Sequence, residues 1–353
     1  MTPNANEVVV SDLIRVLVVD DSAFVRKFLR QMLARSPFIE VVGAARNGAE
    51  ALELVGQLQP HVITLDLNMP GADGLSFLKA QMARRPLPTI VVSMAAKDGK
   101  QVLEALAAGA VDFIQKPSGL ANERILEIAD ELIAKVKAAA TARLPATVAS
   151  NGRPHPVALG QQPVSTDVIV IGISTGGPQA LRYLIPRLPR ELPVPVAIVL
   201  HMPPGYTELF AQSLNELSDL EVTEATEGQA LRAGCVLLAP AGLHLTFARG
   251  DNGTVTAHLD LQPPETPHRP SVDVLFQSAA EVFGPRTLAI VMTGMGADGT
   301  RGAAWVKARG GRVFAEAEES CVVYGMPRSI VEAGLCDKSV PLAKMAVTIS
   351  EAV

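Results

Sequence analysis

The chain has 353 residues, a length that suits two domains of ordinary size, and 48% of it is hydrophobic, enough for sizeable cores and too much for a disordered chain. Its 31 Lys and Arg against 36 Asp and Glu leave a net charge of −5, which argues against a dedicated nucleic-acid binder, because that function needs a concentrated basic face to displace counterions. Cys235, Cys321 and Cys336 are an odd number without a Cys-x-x-Cys pair, and the six histidines show no metal-binding spacing, so neither a disulfide framework nor a zinc ribbon is expected. The longest apolar runs, such as 168–173 and 194–200, have strand length and fall far short of a bilayer span. Residues 1–12 lack the basic flank and apolar core of a secretory signal. A soluble, cytoplasmic protein with no membrane insertion is the expectation.

From Ile14 onward, β-rich runs at 14–19, 41–44, 62–66, 89–93 and 111–115 alternate with helical patterns at 24–33, 49–58, 75–83, 101–108 and 121–140. Strands this continuously apolar are buried on both faces, which means a parallel sheet covered by helices. Right-handed crossovers make it a five-stranded, doubly wound α/β sheet whose ligands gather at the carboxyl ends of the strands. Five polar side chains end those strands: Asp20 and Asp21 the first, Asp66 the third, Ser93 the fourth and Lys116 the fifth. Three carboxylates on one rim repel each other unless a cation sits among them, and oxygen-only ligation points to Mg2+ beside a phosphorylatable aspartate. Any one strand-end aspartate reads equally well as a helix cap; the combination does not.

Val18-Val19-Asp20-Asp21-Ser22, Leu65-Asp66-Leu67-Asn68-Met69-Pro70 and Lys116-Pro117 together resemble the flavodoxin-like receiver domain of two-component response regulators. The resemblance implies Asp66 as phospho-acceptor and Asp21, Asp66 and the Asn68 carbonyl as Mg2+ ligands, with Asp20 acting through water. It also implies Ser93 and Lys116 at the phosphate, Phe113 as the switch aromatic, and a histidine kinase as phosphodonor. The stretch Met94-Ala95-Ala96 carries fewer hydroxyls than in many relatives.

Between 138 and 166 the texture changes: two charges (Arg143, Arg153), four prolines (Pro145, Pro154, Pro156, Pro163) and no apolar period mark a linker. The expected organisation is a domain at 14–137, a linker at 138–166 and a second domain at 167–353.

The second alternation has strand-like runs at 168–172, 196–200, 235–239, 243–248, 254–258, 288–292 and 311–315, and helical patterns at 177–188, 207–217, 272–283, 300–308 and 327–333. A three-layer α/β domain with a mostly parallel sheet is expected, with a hairpin turning at Asn252-Gly253. Gly172-Ile173-Ser174-Thr175-Gly176-Gly177-Pro178 follows a strand and opens a helix, placing Ser174 at a helix N-terminus that favours developing negative charge. Such a serine needs a base and an orienting group. His201 and Asp298 each follow an apolar strand on the same rim, and the other histidines are worse placed. The glycine turn also fits a phosphate loop, and Asp298 a plain helix cap. The order Ser…His…Asp departs from three familiar hydrolase folds without excluding a triad.

With Leu200-His201-Met202-Pro203-Pro204-Gly205, His268-Arg269-Pro270-Ser271-Val272-Asp273, Met292-Thr293-Gly294-Met295-Gly296 and Val323-Tyr324-Gly325-Met326-Pro327-Arg328, the chain is similar to the chemotaxis protein-glutamate methylesterase (CheB) family over about residues 14–350. That likeness implies Ser174 as nucleophile, His201 as general base and acid, Asp298 as its orienter, and Thr175 and the Met295 backbone at the oxyanion wall. It implies hydrolysis of glutamyl methyl esters, and deamidation of glutamines, on methyl-accepting chemotaxis receptors, without a cofactor for hydrolysis. A hydrolase acting on another protein outside chemotaxis and a docking module switched by Asp66 stay open at this point. The cysteines and Trp305 are expected to be packing residues, and Ser271 a helix N-cap.

Overall fold

The computed structural model describes residues 13–69, 74–93, 99–116, 122–144, 156–158 and 166–353, with the backbone alone at 122–125 and 127. Pro70, the stretch 94–96, Pro117, His155, Pro145, Pro154 and Pro163 lie outside the described residues, as does most of the expected linker. The chain forms two compact units, residues 1–95 with 108–141, and 96–107 with 142–353.

In order, the first alternation folds as β1 (Ile14–Val19), α1 (Ala23–Leu33), β2 (Ile39–Ala45), α2 (Gly48–Leu58), β3 (Val62–Leu65), α3 (Gly74–Arg84), β4 (Thr89–Ser93), α4 (Gly99–Ala107), β5 (Asp112–Gln115) and α5 (Asn122–Ala140). The five strands pair in parallel in the order β2-β1-β3-β4-β5. Val16–Val19, Val62–Leu65 and Ile90–Val92 are sealed from solvent, as strands covered on both faces must be. Local chemistry starts the helices: Ser22 accepts from the Val25 amide at 3.4 Å to cap α1, and Asn47 accepts from the Glu50 amide at 2.9 Å to cap α2. The strand order reverses between β1 and β3, so the ends of those strands form the crevice in which such sheets bind ligands.

The second alternation is β6 (Val168–Ile173), α6 (Gly177–Leu184), β7 (Val196–Leu200), α7 (Thr207–Asn215), β8 (Glu221–Glu224), β9 (Cys235–Leu238), β10 (His244–Arg249), β11 (Val255–Asp260), α8 (Val272–Phe283), β12 (Thr287–Val291), α9 (Thr300–Ala308), β13 (Arg312–Glu316), α10 (Met326–Glu332), β14 (Lys338–Val340) and α11 (Leu342–Ser350). Seven strands pair in parallel in the order β14-β13-β12-β6-β7-β9-β8. β10 and β11 form a separate antiparallel hairpin, and its turn uses Gly253 at φ +81°, a left-handed conformation that glycine adopts without strain. Here the order reverses at β6, which lies between β12 and β7. The three strand ends preceding Ser174, His201 and the 293–299 loop are therefore neighbours.

Three elements differ from expectation. β8 (Glu-Val-Thr-Glu) and β14 (Lys-Ser-Val) are edge strands, half exposed and polar, and so lack the apolar run that identifies a central strand. α11 lies beyond the last helix expected. Trp305 on α9 is 41% exposed rather than packed. Cys235 and Cys321 are buried and Cys336 half-buried, all three free. No helix among the described residues is long and apolar enough to cross a membrane.

Candidate active site and acidic rim

β6 ends at Ile173, and the chain turns at once into α6. Gly176 makes the turn at φ +77°, and a Cβ there would meet Val322 at 2.5 Å. Pro178 sits in the first turn of α6, where its missing N–H costs nothing. Within the turn the Gly177 amide donates to the Ser174 carbonyl at 2.6 Å, and the Ser174 amide donates to the Thr293 carbonyl at 3.0 Å. Ser174 is partly exposed and Thr175 buried.

His201 stands one residue past the end of β7. Ile173 pairs with Leu200 in the parallel register, and the His201 amide donates to the Ile173 carbonyl at 3.2 Å, so Ser174 and His201 occupy adjacent strand-end positions. The imidazole Nε2 lies 2.9 Å from Asp298 Oδ2, with both side chains about one-tenth exposed. Its Nδ1 is buried and has no hydrogen-bond partner among the described residues. The expected hydroxyl–imidazole hydrogen bond is thus not formed in this structure: register brings the two residues side by side, and the nitrogen left over is the one not held by Asp298.

Asp298 is satisfied from every side. Oδ1 accepts from the Ser271 hydroxyl at 2.9 Å and the Asp273 amide at 3.0 Å, while Oδ2 accepts from the Val272 amide at 2.8 Å as well as from His201. Burial pushes its carboxyl up, but the His201 hydrogen bond and charge and the two amides outweigh that and hold it at about 2. The two amides begin α8, so Asp298 caps α8 rather than α9, the helix it precedes. Asp273, in the first turn of α8, returns the arrangement: its Oδ1 accepts from the Gly299 and Gly302 amides at 2.9 and 2.8 Å at the start of α9. Ser271 holds the N-cap position of α8, but its side chain makes no capping bond; against expectation, its hydroxyl serves Asp298 instead.

Two of the remaining histidines lie beside the site. The exposed His268 ring stacks on His201, with centroids 4.1 Å apart and planes 22° from parallel. Buried His244 accepts from the Ser271 amide through Nδ1 at 3.2 Å and contacts the Pro263 carbonyl through Nε2 at 3.2 Å. Sequence position hides both, because the 263–270 segment reads as an irregular proline-rich loop. The segment after Cys321 has a role as well. The Gly294 amide donates to the Val323 carbonyl at 3.0 Å, and the Gly325 and Met326 amides donate to the Gly294 carbonyl at 3.1 and 2.8 Å. This clamps the loop carrying the partly exposed Met295.

On the first sheet, Lys116 Nζ lies 2.8 Å from Asp20 Oδ2 and 2.7 Å from Asp66 Oδ2, and all three are buried. Burial pushes the Asp66 carboxyl up against the pull of Lys116 and the Asn68 amide, and the Asp20 charge adds to the rise. Asp21 is exposed on the rim, and oxygens of Asp20, Asp21 and Asp66 lie within 4.8 Å of one another. Three hard carboxylate donors with one ammonium between two of them still carry excess negative charge, so the set fits a small divalent cation. Ser93 and Phe113 are buried at and beside the same strand ends.

Residues 169–349 match the profile of CheB methylesterases, and residues 16–130 that of response regulator receiver domains. A "Protein-glutamate methylesterase/protein-glutamine glutaminase 5" of Myxococcus xanthus is 50% identical over 338 residues, covering 94% of this chain and 96% of that protein. A protein-glutamate methylesterase/protein-glutamine glutaminase of Symbiobacterium thermophilum is 46% identical, covering 96% and 97%. The crystal structure of the Thermotoga maritima CheB methylesterase catalytic domain is 44% identical, with a TM-score of 0.52, and covers 54% of this chain and all of that one.

Proposed function

This chain belongs to the CheB methylesterase family and carries a response regulator receiver domain, and on that premise we propose that Ser174, His201 and Asp298 are its catalytic triad and Asp66 its phospho-acceptor. The protein is a phosphorylation-regulated protein-glutamate methylesterase and protein-glutamine glutaminase of chemotaxis. Its substrates in this reading are methyl-accepting chemotaxis receptors, its phosphodonor is a histidine kinase, and it works in the cytoplasm. Residues 14–137 and 167–353 are its domains, tethered by 138–166.

The observation that carries the triad is the pairing at His201. Asp298, ionised at neutral pH, accepts from Nε2, which fixes the tautomer with the proton on Nε2 and the lone pair on the buried Nδ1, which has no hydrogen-bond partner among the described residues. Nδ1 takes the Ser174 proton as Oγ attacks the ester carbonyl carbon, and Asp298 stabilises the imidazolium that forms. Collapse of the tetrahedral intermediate breaks the C–O bond to the methoxy group, which leaves as methanol with the proton from Nδ1. Water then repeats the sequence on the acyl-enzyme, releasing a carboxylate and restoring the serine. With glutamine, the leaving group is ammonia. Thr175 and the Met295 backbone are assigned to the oxyanion wall, beside the α6 N-terminus whose dipole favours the same charge.

In the receiver, Asp21, Asp66 and the Asn68 carbonyl, with Asp20 through water, are the ligands assigned to Mg2+, which when bound screens the carboxylates from an incoming phosphoryl group. Lys116 and Ser93 hold the oxygens of the acyl phosphate on Asp66, and Phe113 is the switch aromatic.

Methanol release from a purified, methylated chemotaxis receptor, with and without acetyl phosphate, tests this reading. The wild type releases methanol faster with the phosphodonor, and Ser174→Ala releases none above background. Wild-type release by Ser174→Ala would overturn the assignment.

A further inference from the structure

Glu316 ends β13 with its side chain fully buried, and the chemistry above does not use it. Its carboxyl has two hydrogen-bond partners among the described residues: Oε2 accepts from the Thr293 amide at 2.9 Å, and Oε1 from the Ser320 hydroxyl at 2.9 Å. Burying an acid without a cation costs stability, so a packed apolar residue would serve the core better. The position of Thr293 supplies a reason for the acid. The Thr293 carbonyl accepts from the Ser174 amide at 3.0 Å. Its hydroxyl donates to the Thr175 carbonyl at 3.0 Å and accepts from the Val323 amide at 2.9 Å. Both residues of the nucleophile turn thus hang on Thr293, and Thr293 is held from below by Glu316.

We propose that Glu316 is a positioning residue for the methylesterase reaction, fixing the backbone of Ser174 and Thr175 through Thr293. The proposal rests on Ser174 being the nucleophile. The geometry accommodates either protonation state. As a carboxylate, Glu316 accepts from Thr293 and Ser320. As an acid, it donates from Oε1 to the Ser320 hydroxyl, which turns its own proton to the Ala317 carbonyl at 3.2 Å and still accepts from the Leu342 amide at 2.9 Å. The Thr293 contact survives in both, and displacement of a nucleophile by even 1 Å can cost about 100-fold in rate.

The full-length protein with methylated receptor and a methanol assay supplies the test. Glu316→Leu is expected to lower kcat about 10- to 100-fold with KM nearly unchanged, because the defect lies in aim rather than in binding. Glu316→Gln, which keeps an acceptor for the Thr293 amide, is expected to restore most of kcat. Ser174→Ala in the same assay separates the two readings: activity there sinks the nucleophile assignment, whereas a dead Ser174→Ala beside a fully active Glu316→Leu sinks only the positioning role. Failure of Glu316→Gln to recover kcat sinks it too. If Glu316→Leu lacks native circular dichroism, Glu316→Met replaces it, removing the acceptor of the Thr293 amide at nearly constant side-chain length; a loss of kcat at constant KM supports the positioning role, and wild-type kcat overturns it.

Discussion

Replacing Asp298 by Asn preserves the side chain's shape but turns one acceptor into an NH2 group facing donors, because all four neighbours of this carboxylate donate to it. His201 then loses the partner that selects its tautomer, and kcat is expected to fall about 10³- to 10⁴-fold. The same change weakens the cap of α8, lowering stability by about 1 kcal/mol, so thermal melting should report it independently of activity. The pH dependence of stability has opposite signs at two acids. Asp298 is held below its ordinary 3.8, so its contribution is present above that value and is lost as pH falls toward about 2. Glu316 is pushed by burial from 4.5 up to about 7. Its folded state keeps the proton longer, so stability is full below 4.5 and declines as pH rises through 7. Glu316→Gln should therefore raise Tm relative to wild type at pH 8 and change it little at pH 5; equal effects at both would contradict a buried, proton-retaining acid. At this scale the sequence showed which residue types carry the chemistry. It did not show the stacked His268 or the Ser271 hydroxyl on Asp298, because both contacts cross from a proline-rich loop to residues about 27 or more positions away.

The nucleophile turn and the 293–296 loop are held so close that glycine is obligatory between them. A Cβ on Gly294 would lie 2.8 Å from Ser174 Cβ and 2.5 Å from Met326 Sδ, so Gly294→Ala should displace the serine, lowering kcat with a modest loss of Tm. On the other side of the turn, a Cβ on Gly172 would lie 2.2 Å from Val272; Gly172→Ala should push α8 off β6 at a cost of about 1–3 kcal/mol, measurable by denaturant unfolding. Most elements were legible because doubly covered strands are apolar throughout and helices begin at Ser22, Asn47 or a proline. The edge strands β8 and β14 were not, since a strand with one exposed side needs few apolar residues.

Two α/β units in one chain, one bearing a phosphorylatable acidic rim and the other a serine centre, make regulation testable on the intact protein. Acetyl phosphate should accelerate methanol release, Asp66→Ala should abolish that response, and removing Mg2+ with EDTA should do the same, because the carboxylates of Asp20, Asp21 and Asp66 otherwise repel the incoming phosphoryl oxygens. A response that persists in Asp66→Ala would move the phosphorylation elsewhere.

By itself the sequence determined the parallel α/β class of both halves, the strand ends that carry polar groups, and the family. Those properties follow from local periodicity and from motifs contiguous in the chain. Only the tertiary structure decided which strand ends are neighbours. It placed β6 between β7 and β12, gave the two oxygens of Asp298 to α8 and His201, and set Glu316 beneath Thr293. Each of these is a pairing across dozens of residues, set by sheet order and helix packing, and no spacing along the chain encodes it.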